Sequence, residues 1–142
     1  MNIPALMVKD HCKIEALLTD LEKAVEQDYS MMLKSFTTFE WELEKHIFIE
    51  EKAIFTSYHP DNVVEGYKML PELTKQHNEI LNRLNIMRKQ LRSRQKITDI
   101  SGFKTLLIGH KSFEESEVYP QLDQALNEEQ KQTIITKIRE IV

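Results

Sequence analysis

The stretches HIFIE (residues 46–50) and HKSFE (110–114) each set a histidine four residues before a glutamate. On a helix that spacing stacks the two side chains on one face, a turn apart. Both stretches lie in apolar-patterned segments, where ionisable groups are costly to bury unless something pairs with them. His11 and His77 fall on the apolar stripes of two further segments. Four imidazoles and two carboxylates make a poor apolar core and a good dinuclear metal site. Carboxylates bridge two cations about 3–4 Å apart, and each cation takes imidazoles at its outer positions. With Glu50 and Glu114 bridging and two histidines per metal, four positions are filled on each. An oxo or hydroxo bridge would make five, leaving room for O2, peroxide or NO. A metal also resolves the burial problem, because it binds neutral imidazole and ionised carboxylate.

Four long periodic segments must position these groups. The first, about 5–27, carries Met7, His11, Ile14, Leu18, Leu21 and Val25 at helical spacing. The second, about 31–57 with Ser30 as its N-cap, carries Phe36, Phe39, Leu43, His46, Ile49/Glu50 and Ala53, and the turn residues SYHPDN (57–62) end it. The third, about 64–93, runs through Leu70, Leu73, His77, Ile80, Leu84 and Leu91, and either starts near Pro71 or is kinked there. The fourth, about 99–119, carries Phe103, Leu106, His110, Phe113/Glu114 and Val118, with Pro120 after its expected end. A short fifth segment opens on NEEQ (127–130), with Asn127 as cap and Gln130 at the third helical position. At about 1.5 Å rise per residue, His11 and Glu50 fall roughly 9–10 Å from one end of the assembly, and so do His77 and Glu114 if the third helix begins near Pro71. The expected fold is all-α: an antiparallel up-down-up-down four-helix bundle with a short C-terminal helix at about 127–141, residues 1–142 forming one domain.

Composition narrows the function further. A formal charge of −4 argues against non-specific nucleic-acid binding, and the basic run RKQLRSRQK (88–96) reads as a solvated helix end. The lone Cys12 excludes an intrachain disulfide and fits a reducing compartment. No apolar run approaches the roughly 20 residues that span a bilayer, and the first twelve residues lack a signal-peptide pattern. A cytoplasmic location, with no membrane and no nucleic-acid partner, is the expectation. There is no Glu-x-x-His, H-E-x-x-H, C-x-x-C or C-x-x-C-H.

The series His11, His46-x-x-x-Glu50, His77, His110-x-x-x-Glu114, with EEKAIF and EESEVYP following, resembles the hemerythrin-like (HHE cation-binding) domain over about residues 5–122. The resemblance implies a non-haem di-iron centre with those six residues as ligands, although His/carboxylate donors also accept manganese or zinc. Oxygen-carrying hemerythrins have a second histidine on the third helix, where Leu73 or Leu81 stands here, and an aspartate on a longer spacing in the fourth. This chain is closer to the bacterial and sensor-type members. The resemblance therefore implies O2 binding or sensing, NO or peroxide chemistry, or a stress response. The alternative is an iron donor, as in iron–sulfur cluster repair, or an iron-dependent interaction module read by a protein partner.

Around the six, Glu15 lies one turn beyond His11 and is a candidate further ligand or hydrogen-bond acceptor. Glu42 and Glu117 read as flanking groups, and Glu51 and Glu115, rotated off the stripe, as solvated. His59 reads as a surface loop residue and Cys12 as a packing residue. Tyr119 and Trp41 are expected as core aromatics closing the chamber, and Met7, Met31, Met32, Met69 and Met87 as core filler.

Overall fold

The computed structural model describes residues 2–55 and 69–141. The expected turn at 57–62, His59, the last residues of the second segment and the 64–68 part of the third lie outside the described residues. Every described element is helical, with no strand among the described residues. Helix α1 spans Ile3–Ala24, with Asn2 accepting from the Ala5 N–H (2.8 Å) and Pro4 in the first turn, where its missing N–H costs nothing. Its buried face is Met7, His11, Ile14, Leu18 and Leu21, the expected stripe.

Helix α2 spans Tyr29–Ile49 and begins earlier than expected. Asp28, not Ser30, is its cap: the Asp28 carboxylate accepts from the Met31 N–H at 2.9 Å. A carboxylate there also faces the positive end of the helix dipole, which a serine hydroxyl exploits less. From Glu50 to Ile54 the chain continues as a π-helical turn, with the Phe55 N–H donating to the Glu50 carbonyl five residues back. Helix α3, Leu70–Arg92, starts with Pro71 in its first turn.

Helix α4 spans Ile100–Phe113 and runs into a second π-helical turn at Glu114–Val118. Pro120 does not end the helix. The Tyr119 N–H donates to Glu114 O, and the helical path continues as α5, Tyr119–Ala125, with Pro120 in the opening turn of the new register. Helix α6, Glu128–Ile141, is opened by a reciprocal capping box: Gln130 N–H donates to Asn127 Oδ1 (2.8 Å) and Asn127 N–H to Gln130 Oε1 (2.9 Å). No helix among the described residues is long and apolar enough to cross a membrane.

The long helices close a ring, α1 on α2, α2 on α3, α3 on α4 and α4 on α1. Their core is layered. One apolar cluster gathers Met7, Ile54, Leu73, Tyr119 and Leu122 with Ile134, Ile135 and Ile138 of α6. The other gathers Ile14, Leu18, Phe39, Leu43, Ile80, Leu84 and Phe103. Between Met7 and Ile14, Leu43 and Ala53, Leu73 and Ile80, and Phe103 and Val118 lies a polar layer made of the buried histidines and glutamates.

Three expectations fail at the surface. Trp41 is 65% exposed and closes no chamber, Met31 is exposed, and Cys12 faces out rather than packing. The remaining four methionines of the expected filler set are buried.

Candidate metal centre

His11 on α1, His46 on α2, His77 on α3 and His110 on α4 are all buried, and Glu50 and Glu114 are fully so. The two glutamates open the two π-helical turns, a local widening that recurs at functional sites. Donor atoms of Glu50, His77, His110 and Glu114 converge within 4.8 Å, as do those of His11, His46 and Glu114. Glu114 Oε1 lies 3.0 Å from His11 Nε2, 3.1 Å from His110 Nε2 and 3.6 Å from His46 Nε2. Glu50 Oε1 lies 3.0 Å from His46 Nε2 and 3.4 Å from His77 Nε2. The rings pair as His11 with His46 and His77 with His110, centroids 4.7 and 5.0 Å apart, and each carboxylate lies against a histidine of both pairs. Donors about 2.1 Å from a common cation sit roughly 3.0–3.4 Å apart, so these spacings suit coordination.

The satisfaction of hydrogen bonds points the same way. Glu50 Oε1, Glu114 Oε2, His77 Nε2 and His110 Nε2 are buried without a hydrogen-bond partner, although ion-pair distances connect several of them. Such orphaned groups are costly in a native interior unless a cation satisfies them.

The outward nitrogens are all occupied. His46 Nδ1–H donates to Asp10 (2.7 Å), His77 Nδ1–H to Glu51 (3.1 Å), His110 Nδ1–H to the Gln76 carbonyl oxygen (2.7 Å) and His11 Nδ1–H to Glu115 (3.0 Å). These bonds run around the ring: α1 holds the histidine of α2, the π turn after α2 holds that of α3, α3 holds that of α4, and the π turn after α4 holds that of α1. Each acceptor is the immediate chain neighbour of a buried cluster residue: Asp10 beside His11, Glu51 beside Glu50, Gln76 beside His77, Glu115 beside Glu114. With the proton fixed on Nδ1, a neutral imidazole presents its Nε2 lone pair inward.

Glu51 and Glu115 are therefore bonded to the cluster histidines rather than merely solvated. Asp10 and Gln76 were missed; the signal that could have found them is a polar residue adjacent to each ligand-type side chain and about 100° round the helix. Glu15 does not join the cluster but pairs with Lys111 at 2.6 Å. Glu42 sits between Lys13 and Lys45 (3.1 and 3.0 Å), and Glu117 is exposed. Leu73 is buried in the apolar layer. Tyr119 enters the site: its O–H donates to Glu50 Oε2 and lies 3.3 Å from both that oxygen and His11 Nε2.

The electrostatics follow from two buried carboxylates. Burial opposes a charge on His46, yet the charge of Glu50, the hydrogen bond to Asp10 and the nearby Glu114 carboxylate hold its pKa well above 6.5. His77 is raised against the same burial by the Glu50 carboxylate beside it, the charge of Glu114 and its hydrogen bond to Glu51. Burial pushes Glu114 up, but the imidazoles crowded around it, those of His11, His110 and His46, hold it well below 4.5. Burial, reinforced by both glutamate charges, drives the Tyr119 phenol well above 10. The interior field favours positive charge at the inner nitrogens, where protons and metal cations compete.

The family described as hemerythrin HHE cation binding domain matches residues 2–122, and its span includes all six converging residues. No curated protein and no solved structure matches the chain.

Proposed function

Because the chain belongs to the hemerythrin HHE cation-binding family, we propose that it is a non-haem di-iron protein that binds or reacts with O2, NO or peroxide. His11 and His46 would hold one iron and His77 and His110 the other, with Glu50 and Glu114 bridging. The observation that carries this reading is the orientation of the imidazoles: all four Nδ1–H groups are tied outward, leaving the Nε2 atoms to converge on two carboxylates that each keep one oxygen without a hydrogen-bond partner. Bound iron would supply redox chemistry and an open position for a small ligand.

The chain's own residues do the positioning. Asp10, Glu51, Gln76 and Glu115 hold the imidazole planes, and Tyr119 directs its O–H onto Glu50. The apolar layer that includes α6 closes one side of the cluster. The scaffold is an antiparallel up-down-up-down four-helix bundle working as one domain. The ion pairs Glu15–Lys111 and Glu22–Lys104, whose order reverses between α1 and α4, support that arrangement.

The test is elemental analysis of the purified protein, with optical spectra of the anaerobically reduced form before and after exposure to air, NO or peroxide. About two irons per chain and a spectrum that responds to at least one of these ligands is the expected result. Iron at that ratio with no response to any of them would favour the iron-donor or interaction role. Manganese or zinc at full occupancy, or metal content unaffected by Glu50→Ala with Glu114→Ala, would overturn the reading.

A further inference from the structure

A cavity of about 270 Å³ lies between α1 and α4, backed by α2. Its inner end is formed by His11, His46 and His110, and its walls by side chains such as Leu18, Leu43 and Leu107. Two ion pairs frame its outer side: Lys111 Nζ to Glu15 Oε1 at 2.6 Å and Lys104 Nζ to Glu22 Oε1 at 2.9 Å. Each pair joins α4 to α1, and they stand seven residues, roughly 10 Å, apart along either helix. The lips of the opening are Thr19 on α1 and the half-exposed Ile108 on α4.

The volume exceeds what a diatomic ligand or peroxide needs. An apolar cavity of about 150 Å³ already accommodates benzene. The walls offer an apolar body no hydrogen bonds, and the deep polar groups sit only at the imidazole end. Both rim lysines are matched by carboxylates, so the entrance carries no unbalanced charge to select an anion. We propose that this cavity binds a neutral, mainly apolar organic molecule, up to the size of a bicyclic aromatic, with its polar end directed at the metal centre. The assignment of a metal at the inner end rests on the function proposed above; the cavity itself does not.

The test is calorimetric titration of 2-naphthol into the metal-loaded and the metal-free protein, with amide NMR shifts mapped on a zinc-loaded sample. Saturable binding at one site, with shifts centred on Leu18, Leu43 and Leu107, is the expected result. Ile108→Trp, and independently Thr19→Trp, fill the entrance from opposite lips and should each weaken binding at least tenfold. Ile86→Trp, at an exposed position on α3, should leave it unchanged. Absence of binding, or binding indifferent to both lip variants, overturns the proposal. Metal content and response to O2, NO and peroxide are measured on the same preparations. Naphthol binding in a protein that takes up no metal would overturn the di-iron reading and leave the cavity standing; a normal gas response without naphthol binding would do the reverse.

Discussion

Removing the acceptor behind a histidine of the cluster should weaken metal binding in proportion to how firmly that acceptor is held. Asp10 is the best placed of the three carboxylates: its bond to His46 is 2.7 Å and its side chain is 21% exposed. Glu115 meets His11 at 3.0 Å with 28% exposure, and Glu51 meets His77 at 3.1 Å with 43% exposure. A shorter charge-assisted bond in a drier setting is screened less and orients the ring more strictly. Loss of such a partner typically costs 10–100-fold in metal affinity, which is about 1.4–2.7 kcal/mol. Asp10→Ala should fall near the upper end, Glu115→Ala between, and Glu51→Ala near the lower end. Asp10→Asn, which keeps an acceptor oxygen but not the charge, should lose less than Asp10→Ala. Glu42→Ala, whose carboxylate serves Lys13 and Lys45 instead, is the control. The assay is anaerobic titration with cobalt(II), read by its visible bands against a competing chelator. Wild-type affinity for Asp10→Ala, or a larger loss for Glu51→Ala than for Asp10→Ala, would refute the reasoning.

The metal-free protein should lose stability as pH rises above neutrality, because His46 and His77 are raised above 6.5 and their contribution, complete below that value, disappears as they deprotonate. The depressed Asp10 and Glu114 act oppositely, contributing above their usual values of 3.8 and 4.5 and failing as acid protonates them. Thermal melts should therefore peak between the two ranges, while the stabilisation on adding metal grows with pH as protons cease to compete; a metal-free melting temperature that climbs from pH 6.5 to 8.5 would contradict this. Asp28→Ala should cost about 1 kcal/mol, a drop of roughly 3–5 °C in melting temperature, whereas Ser30→Ala should change little. Tyr119→Phe should retain metal while lowering the metal-free stability by about 1 kcal/mol through the lost hydrogen bond to Glu50; metal content and thermal melts of the variant check both parts.

The six converging residues were legible because each combines a ligand-type side chain with a position on an apolar stripe, and four helices repeat the combination. The NEEQ capping box and the start of α3 at Pro71 were legible because both are local. What escaped depends on longer relations. The π-helical turns have no strong local signature, so Pro120 looked like an end when it sits in the first turn of a shifted register. In such a turn the residue five along stacks on the first, which brings Tyr119 over Glu114. The roles of Glu51 and Glu115 depend on the neighbouring helix supplying a histidine at the right height, which helical periodicity does not report. Trp41 and Met31 were misplaced because an apolar side chain is not obliged to be buried.

The layering explains how the chain tolerates a polar middle. Fully buried Leu21, Phe39, Ile80 and Leu84 on one side, and Ile54, Leu73, Leu122 and Ile134 on the other, can carry folding without contribution from the histidines and glutamates. Helix α6 lays Ile134, Ile135 and Ile138 against the layer that includes Ile54 and Tyr119, and so seals the side of the cluster onto which the π turns lead. The cavity lies in the opposite direction, among Ile14, Leu18, Leu43 and Leu107. A sealed floor and a roomy, apolar approach from the other side impose a direction on anything that reaches the imidazoles. The ion pairs that frame this approach are partly exposed and individually weak, worth about 0–1 kcal/mol each. Opening the approach wider therefore requires separating α1 from α4 locally, at the cost of contacts that Ile14, Leu18 and Leu107 make in the second core.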